Sequence, residues 1–249
     1  MKYILCAQWT EKAKEIAKAL EFRHIDLERL VCVKSSGTKT RHVVARIHAL
    51  GKVMQLGMGR IGRSFLEQYL LLPPTVCRQF SFVALADSGA AVIAEDGLGR
   101  ETIESLLATK AQGIPLTARA DSVPHSSLAP LLADIPDTII VDMTASDDTL
   151  PILLEAAEVG CGVVLANKRP LCANHDVWRR LTRPGLLRYE ATVGAGLPVI
   201  RTLRYLLETG DGVERVEGAF SGTLGYLFSQ MEAGEDFSTA LSRAYDEGY

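Results

Sequence analysis

Short apolar runs recur along the middle of the chain, and each ends in a polar or glycine-containing turn. The runs that predict buried strands are Lys52–Leu56, Phe80–Ala86, Asp137–Asp142 and Val163–Ala166. Each has a mainly apolar centre, as strands covered on both faces of a parallel sheet have. Segments between them, such as Thr149–Glu158, have apolar residues three and four positions apart and predict helices. This alternation predicts an α/β fold with a doubly wound parallel sheet, because such strands are joined by right-handed helical crossovers.

A glycine-rich turn joins the first predicted strand to the helix that follows it. In that setting Gly57 permits a tight turn, Gly59 lets a pyrophosphate approach the backbone, and Gly62 lets the helix pack closely on the strand. The free N–H groups at the helix start would bind the pyrophosphate. The flanking strand and helix favour a Rossmann-type dinucleotide site over a glycine turn without a ligand. The predicted cofactor loop reads Gly57, Met58, Gly59, Arg60, Ile61, Gly62.

Asp87 follows the second predicted strand, at about the spacing from the glycine loop that a ribose-binding carboxylate has. Because a carboxylate repels a 2′-phosphate, Asp87 favours NAD over NADP. Arg60 or Arg63 could offset that preference by pairing with the phosphate. The alternative interpretation is that Asp87 caps a turn or a helix. The expected cofactor is therefore NADP or NAD.

Polar residues also follow the third and fourth predicted strands. Thr144 and Ser146 follow one of them, and Asn167 and Lys168 follow the other. Ligands of doubly wound sheets lie beyond the carboxyl ends of the strands, so these residues are candidates for the cofactor cleft. A lysine at such a place is also a common solvated surface residue, and both interpretations of Lys168 stay open.

Composition adds mainly exclusions. A net charge of −3 and a pI near 6.0 give no basic footprint for nucleic acid. No apolar run approaches the roughly 20 residues of a membrane span. The five cysteines form no CxxC pair, which fits a reducing compartment, and the expected location is cytoplasmic. The histidines lack the spacing of a zinc site.

Five segments together resemble homoserine dehydrogenases in order and approximate spacing: GMGRIG, DMTAS, ANKRPL, YEATVGAGLPVI and EGAFSGTLGYLF. The resemblance covers residues from about Lys52 to Tyr249. It implies an enzyme that interconverts L-homoserine and L-aspartate 4-semialdehyde with NAD(P)H, for threonine and methionine biosynthesis. It also implies a small-molecule substrate and a homodimer in the full-length form.

The resemblance assigns further residues. Thr144 and Lys168 match positions that line the cofactor and substrate cleft. A segment near residue 190 matches one that wraps a structural sodium ion, and oxygen donors on a glycine-containing bend suit a hard cation. The alternative is a bend without an ion. The implied ligands are the Glu190 carboxylate and the backbone carbonyls of Val193, Ala195 and Leu197.

The sequence departs from the family pattern at its end. Gly248-Tyr249, where this sequence stops, matches the start of a Gly-Tyr-x-Glu-Pro-Asp-Pro motif, and the Glu-Pro-Asp-Pro segment and a later Asp and Lys are absent. In the family these groups hold the substrate and transfer a proton. We therefore expect a C-terminally truncated member in which Lys168 is the remaining catalytic candidate and turnover is impaired. Exposed apolar surface and low solubility are expected as well.

Two other functional interpretations were considered. A non-catalytic nucleotide-binding or subunit-interaction module would keep the cofactor loop without proton transfer. A glyceraldehyde-3-phosphate dehydrogenase-like enzyme is rejected, because neither Cys161 nor Cys172 has the surroundings of a nucleophilic cysteine. The expected domains are an N-terminal extension of uncertain structure (1–51), a dinucleotide-binding domain (52–188) and a partial α+β substrate and dimerisation domain (189–249).

Overall fold

The structure is a computed structural model that describes residues 51–77, 79–135, 138–183, 185–194 and 196–247, without the side chains of 133 and 134. Residues 1–50 of the expected N-terminal extension lie outside this part of the chain. The described residues fall into two units, divided between Arg188 and Tyr189. Each unit is described by itself.

The first unit is built on a seven-stranded sheet in the order β4-β3-β2-β1-β5-β6-β7. Strand β1 is central and pairs in parallel with β2 and β5, and β5, β6 and β7 continue the parallel part. The strands are β1 Lys52–Leu56, β2 Ser81–Ala86, β3 Ala90–Ile93, β4 Val123–Pro124, β5 Thr138–Asp142, β6 Gly162–Leu165 and β7 Leu187–Arg188.

The predicted doubly wound parallel sheet is confirmed over β2, β1, β5, β6 and β7, and two antiparallel strands extend it into a mixed sheet. Strand β3 runs antiparallel to β2, and β4 runs antiparallel to β3. The reversal is a tight turn held by Asp87, whose Oδ1 accepts the N–H groups of Gly89 at 2.9 Å and Ala90 at 3.1 Å. A side chain that bonds the backbone two and three residues on favours such a turn.

Helices connect the strands of the first unit. They are α1 Arg60–Leu70, α2 Pro74–Cys77, α3 Arg100–Ala111, α4 Leu128–Asp134, α5 Leu150–Glu158, α6 Arg169–Cys172 and α7 His175–Thr182. Asn174 caps α7 by accepting the N–H of Val177 at 2.9 Å. Pro151 lies in the first turn of α5, where its missing N–H costs nothing, and Gly160 ends that helix at φ +85°.

A buried apolar cluster joins α1 and α3 to the sheet. Leu66 of α1 and Leu106 of α3 are fully buried beside Leu85 of β2, and the ring of Tyr69 meets that of Phe82 edge to face at 4.8 Å. Burying one such leucine contributes about 1.5–3 kcal/mol relative to leaving it exposed. This packing fixes the start of α1, and with it the glycine loop, against the ends of β1 and β2.

The second unit is helical in its described part. Its helices are α8 Val199–Glu208, α9 Gly222–Glu232 and α10 Phe237–Glu247. A 3-10 turn at Glu190–Thr192 precedes α8, and α9 and α10 form an antiparallel pair with a small core of Leu227, Ala240 and Ala244. Ser221 caps α9 by accepting the N–H of Leu224 at 3.2 Å.

Candidate functional site

The glycine loop lies at the carboxyl end of β1 and begins α1. Gly57 has φ +100°, and its N–H donates to the carbonyl of Ala86 at 2.9 Å. A Cβ on Gly57 would come within 2.9 Å of the Met143 backbone, and one on Gly62 within 1.9 Å of the Gly57 carbonyl oxygen. A Cβ on Gly59 would meet nothing within 4 Å. Two glycines are thus required by turn geometry and packing, whereas the space beside the third is open.

Gln55 braces this loop from inside the protein. It is fully buried, and its Nε2 donates to the carbonyls of Gly57 at 3.0 Å and Gly62 at 3.1 Å. Its Oε1 is buried without a hydrogen-bond partner among the described residues. Within the loop Met58 is buried in the core, while Arg60 and Ile61 are exposed. Sequence reasoning missed Gln55, although a polar residue inside an apolar strand was a usable signal.

The Asp87 carboxylate faces the protein and is fully engaged. Besides the two turn bonds, its Oδ2 accepts from Lys110 Nζ at 2.7 Å and from the Leu116 N–H at 2.9 Å. Burial raises the pKa of Asp87, but the bonds from Lys110 and the three backbone N–H groups outweigh it, and the pKa lies below its ordinary value. The turn-capping interpretation therefore describes what Asp87 does here, and its ribose-binding role stays a prediction.

One cation pairs with that carboxylate, and a second contacts the backbone of the first. Lys110 on α3 neutralises Asp87, and Arg63 on α1 donates from Nη1 to the backbone carbonyl of Lys110 at 2.7 Å. Because the Lys110–Asp87 pair is formally neutral, the end of β2 is not the anionic site that Asp87 alone would make. Lys110 was missed because only the folded chain brings it to Asp87.

The polar residues after β5 and β6 meet around Asp142, the last residue of β5. Asp142 is fully buried and bonds Thr144, Thr149 and Asn167. Thr144 is half-buried, and its methyl carbon lies 3.0 Å from the position a Cβ on Gly57 would take. The structure thus brings Thr144 together with the glycine loop, as a cofactor cleft requires.

Ser146 and Lys168 complete the predicted set at this edge. The Ser146 hydroxyl donates to Asp148 at 2.8 Å, and its backbone carbonyl accepts from Asn167 at 2.7 Å. Lys168 is exposed directly before α6, and the neighbouring Arg169 pairs with Asp147 at 2.5 Å. This ion pair joins the loop after β5 to the start of α6, so both loops at this edge are tied together.

The predicted cation segment lies at the start of the second unit. The two oxygens of Glu190 accept the N–H groups of Ile200 at 3.2 Å and Arg201 at 2.6 Å, so Glu190 binds the first turn of α8. Gly194 has φ +68°, and its carbonyl accepts the Leu197 N–H at 2.8 Å. Of the predicted carbonyl ligands, Val193 and Leu197 lie in this bend and Ala195 lies outside the described residues. The oxygen donors fit a hard cation in chemistry.

The described ranges contain neither a cluster of metal-binding side chains nor a membrane-spanning helix. No group of three or more His, Cys, Asp or Glu side chains there could hold a metal ion. No helix in that part of the chain is long and apolar enough to cross a membrane.

The central sheet, the glycine loop before α1 and the polar edge of β5 and β6 define a Rossmann-type α/β protein of the dinucleotide-binding class. A family model described as homoserine dehydrogenase matches residues 198–249. The chain belongs to the homoserine dehydrogenase family.

Individual relatives agree with this assignment. Homoserine dehydrogenase of Saccharomyces cerevisiae is 32% identical over 209 residues, which are 79% of this chain and 55% of that protein. A chloroplastic bifunctional aspartokinase/homoserine dehydrogenase 1 of Zea mays is 32% identical over 203 residues, 78% of this chain and 21% of that one. The chain thus spans about half the length of the yeast relative and about a fifth of the maize one.

Solved structures give the same fold. The homoserine dehydrogenase of Thermoplasma acidophilum has a TM-score of 0.59 at 25% identity, covering 79% of this chain and 60% of that one. A hyperthermophilic archaeal homoserine dehydrogenase in complex with NADPH has a TM-score of 0.62 at 19% identity, with 80% and 61% covered. At that identity the second likeness concerns the fold alone.

Proposed function

We propose that the first unit binds NAD(P)H at the carboxyl edge of its sheet, as part of a homoserine dehydrogenase. The observation that carries this proposal is the glycine loop, which is closed by packing at Gly57 and Gly62 but open at Gly59. The open position lies directly before α1, whose first N–H groups suit a pyrophosphate. Family membership supplies the reaction class.

The proposed reaction moves a hydride between cofactor and substrate. The carbinol carbon of L-homoserine gives a hydride to NAD(P)⁺, and its hydroxyl gives up a proton, which leaves L-aspartate 4-semialdehyde. Lys168 is the candidate on this chain for handling that proton, because it is exposed beside the polar edge of β6. Loss of a positioned acid or base lowers the rate by about 10²- to 10⁴-fold. Replacing Lys168 with Ala should therefore lower turnover by about 10²- to 10⁴-fold, a far larger change than any in the Kd for NADPH.

A matched pair of glycine variants tests the cofactor site. Gly59 and Gly99 both precede a helix in extended backbone, and neither has an atom within 4 Å of an added Cβ. Gly59→Ala should raise the Kd for NADPH at least about tenfold, since its methyl would occupy the pyrophosphate approach. Gly99→Ala should leave the Kd unchanged, and both variants should fold. Unchanged affinity in Gly59→Ala would place the nucleotide elsewhere.

Within this proposal Lys110 and Arg63 favour NADPH over NADH. Lys110 cancels the charge of Asp87, which removes the repulsion of a 2′-phosphate at the end of β2, and Arg63 on the neighbouring α1 contacts the backbone of Lys110. Lys110→Met should weaken NADPH binding by at least about fivefold more than NADH binding, given the strength of charge-assisted bonds to phosphate. Fluorescence titration with both cofactors measures this ratio, and an equal loss for both would contradict the preference.

The bend at the start of the second unit is proposed to hold a sodium ion. Glu190, Val193, Ala195 and Leu197 would supply the oxygens, and the ion would stiffen the segment before α8. The support is the donor chemistry and the positive φ of Gly194. Sodium should raise the unfolding temperature of the wild type but not of Glu190→Gln, whereas N-methylglucamine should change neither. A sodium effect that survives in Glu190→Gln would contradict this site.

A nucleotide-binding module without turnover is the second candidate. Polar side chains at the ends of β5 and β6 are hydrogen-bonded to one another, whereas Lys168, the candidate for proton transfer, is exposed. This contrast favours a module that binds nucleotide without turnover. Homoserine-dependent NADPH formation, followed by absorbance, separates the two. Binding with turnover supports the dehydrogenase, and binding without turnover supports the module. In either case the exposed apolar helices of the second unit support a homodimer, which sedimentation would detect.

A further inference from the structure

The buried carboxylate of Asp142 holds the loops that surround the proposed nicotinamide position. It is fully buried and accepts four hydrogen bonds. Oδ1 accepts the N–H of Thr144 at 2.9 Å and its hydroxyl at 2.7 Å. Oδ2 accepts the Thr149 hydroxyl at 2.7 Å and the Asn167 amide at 3.0 Å. All four donors are neutral groups, and they belong to the loops themselves.

These bonds join two separate stretches of chain. Thr144 and Thr149 lie on the loop after β5, and Asn167 follows β6. Asn167 Nδ2 also lies 3.1 Å from the Thr144 hydroxyl and donates to the Ser146 carbonyl at 2.7 Å. The backbone carbonyl of Asp142 accepts the N–H groups of Ala166 and Asn167 as well. One residue therefore fixes both loops relative to each other.

The topology indicates which half of a dinucleotide these loops would face. The chain turns from one side of the sheet to the other between β1 and β5, and a dinucleotide spans such a switch point with one mononucleotide on each side. Asp87, at the end of β2, lies on the adenosine side. The ends of β5 and β6 lie on the opposite side, where the nicotinamide half belongs.

We propose that Asp142 is a positioning residue for the nicotinamide half of the dinucleotide and acts through Thr144 and Asn167. The inference rests on the proposed cofactor binding. A carboxylate is required because four donors converge on it. An amide in its place would turn its NH₂ group either toward the two donors of Thr144 or toward those of Thr149 and Asn167, and the loops would separate.

Three variants test this role. Asp142→Asn keeps the shape of the side chain and disrupts its bonds, and Thr149→Val removes a single donor. Thr138→Val is the control: Thr138 is a buried threonine at the other end of the same strand, and its hydroxyl donates to Ile135 at 2.7 Å. Each variant is titrated with NADPH and with ADP, which carries the adenosine half alone. Thermal unfolding is recorded alongside.

Asp142→Asn should raise the Kd for NADPH at least about tenfold and leave the Kd for ADP within about twofold. Thr149→Val should show a smaller change in the same direction, which keeps the test open if Asp142→Asn does not fold. Thr138→Val should lose stability but change neither Kd. Equal losses for NADPH and ADP, or no loss for either, would overturn the positioning role. Wild-type protein that binds neither nucleotide would instead overturn the proposed function, and this inference with it.

Discussion

The first unit buries most of its large apolar side chains, whereas the second leaves many of its own exposed. Leu56, Leu66 and Leu85 of the first unit are fully buried. In the second unit Phe228 is 62% exposed and Tyr245 is 85% exposed. Other exposed apolar side chains of the second unit are Leu197, Tyr205, Leu207, Val216, Leu224, Met231, Phe237 and Leu241.

The two units also differ in what they reveal: one carries the match to the family model, and the other carries the described site. The family model matches residues 198–249, entirely within the second unit, yet the site that can be derived from contacts lies in the first. The segment that matches the family model is therefore not the segment in which the geometry of the candidate site is most complete. A unit whose apolar helix faces are open contributes little stability of its own, because packing of an amphipathic face supplies most helical stability.

The largest expected effect comes from truncating a core leucine. Leu85→Ala in β2 should lower the free energy of unfolding by about 2–5 kcal/mol, since the residue is fully buried in the main cluster. Leu241→Ala on α10 is the matched control, and its 46% exposure predicts a change within about 0.5 kcal/mol. Urea denaturation of both variants measures the difference. Similar losses would show that the two units are packed alike.

Ion pairs give the next contrast. Lys110→Met leaves the Asp87 carboxylate without its cation in a mostly buried setting and should cost about 1–3 kcal/mol. Arg215→Met removes the pair with Glu217, in which both side chains are largely exposed, and should change stability by less than about 0.5 kcal/mol. Thermal unfolding of the two variants under the same buffer compares them. A greater loss in Arg215→Met would reverse the comparison.

Acid stability should distinguish the units as well. The folded pKa of Asp87 lies below the ordinary 3.8, so its contribution is present above that value and is lost as pH falls through the folded pKa. In the second unit, bonds from the side chain and backbone of Thr239 also lower the pKa of the exposed Asp236. Because water screens the interactions of the exposed Asp236, Asp87→Asn should reduce the loss of stability at acid pH more than Asp236→Asn does. Unfolding midpoints between about pH 5 and pH 2 test this, and an equal reduction would contradict it.

The smallest change in stability is expected from polar substitutions on the open helix faces. Phe228→Ser on α9 should alter the free energy of unfolding by no more than about 0.5 kcal/mol, because the ring is mostly exposed. It should nevertheless raise solubility, since exposed apolar patches promote association. Light scattering at increasing protein concentration measures the gain. Unchanged scattering would indicate that α9 does not contribute to association.

Much of the sheet was predictable because its central strands are short segments with mainly apolar centres. The predicted run Lys52–Leu56 coincides with β1, and the other three runs overlap β2, β5 and β6 to within one residue at each end. Strands β3 and β4 were missed, because four residues and two residues are too short for periodicity to show. The antiparallel turn depends on the Asp87 side chain, which the sequence alone also allowed to bind a ribose.

The site divides in the same way. The glycine loop and the residues at the strand ends were predictable because spacing along the chain places them. Lys110 and Asp142 were not, since the first meets its partner only through the fold and the second is defined by burial. Sequence patterns show where polar residues occur, but not which of them face inward and bond one another. The predicted roles of Thr144, Ser146, Lys168 and the sodium ligands stay predictions.

The outer strand β4 limits how this sheet could grow. It consists of Val123 and Pro124, and proline has no N–H to offer a further strand. At the opposite edge β7 is also only two residues long. Within the described residues, neither end presents the long, flat ladder on which another polypeptide could add. Fibrous polymerisation through backbone pairing at these two strands is therefore disfavoured, and association of the described part is expected through side-chain contacts.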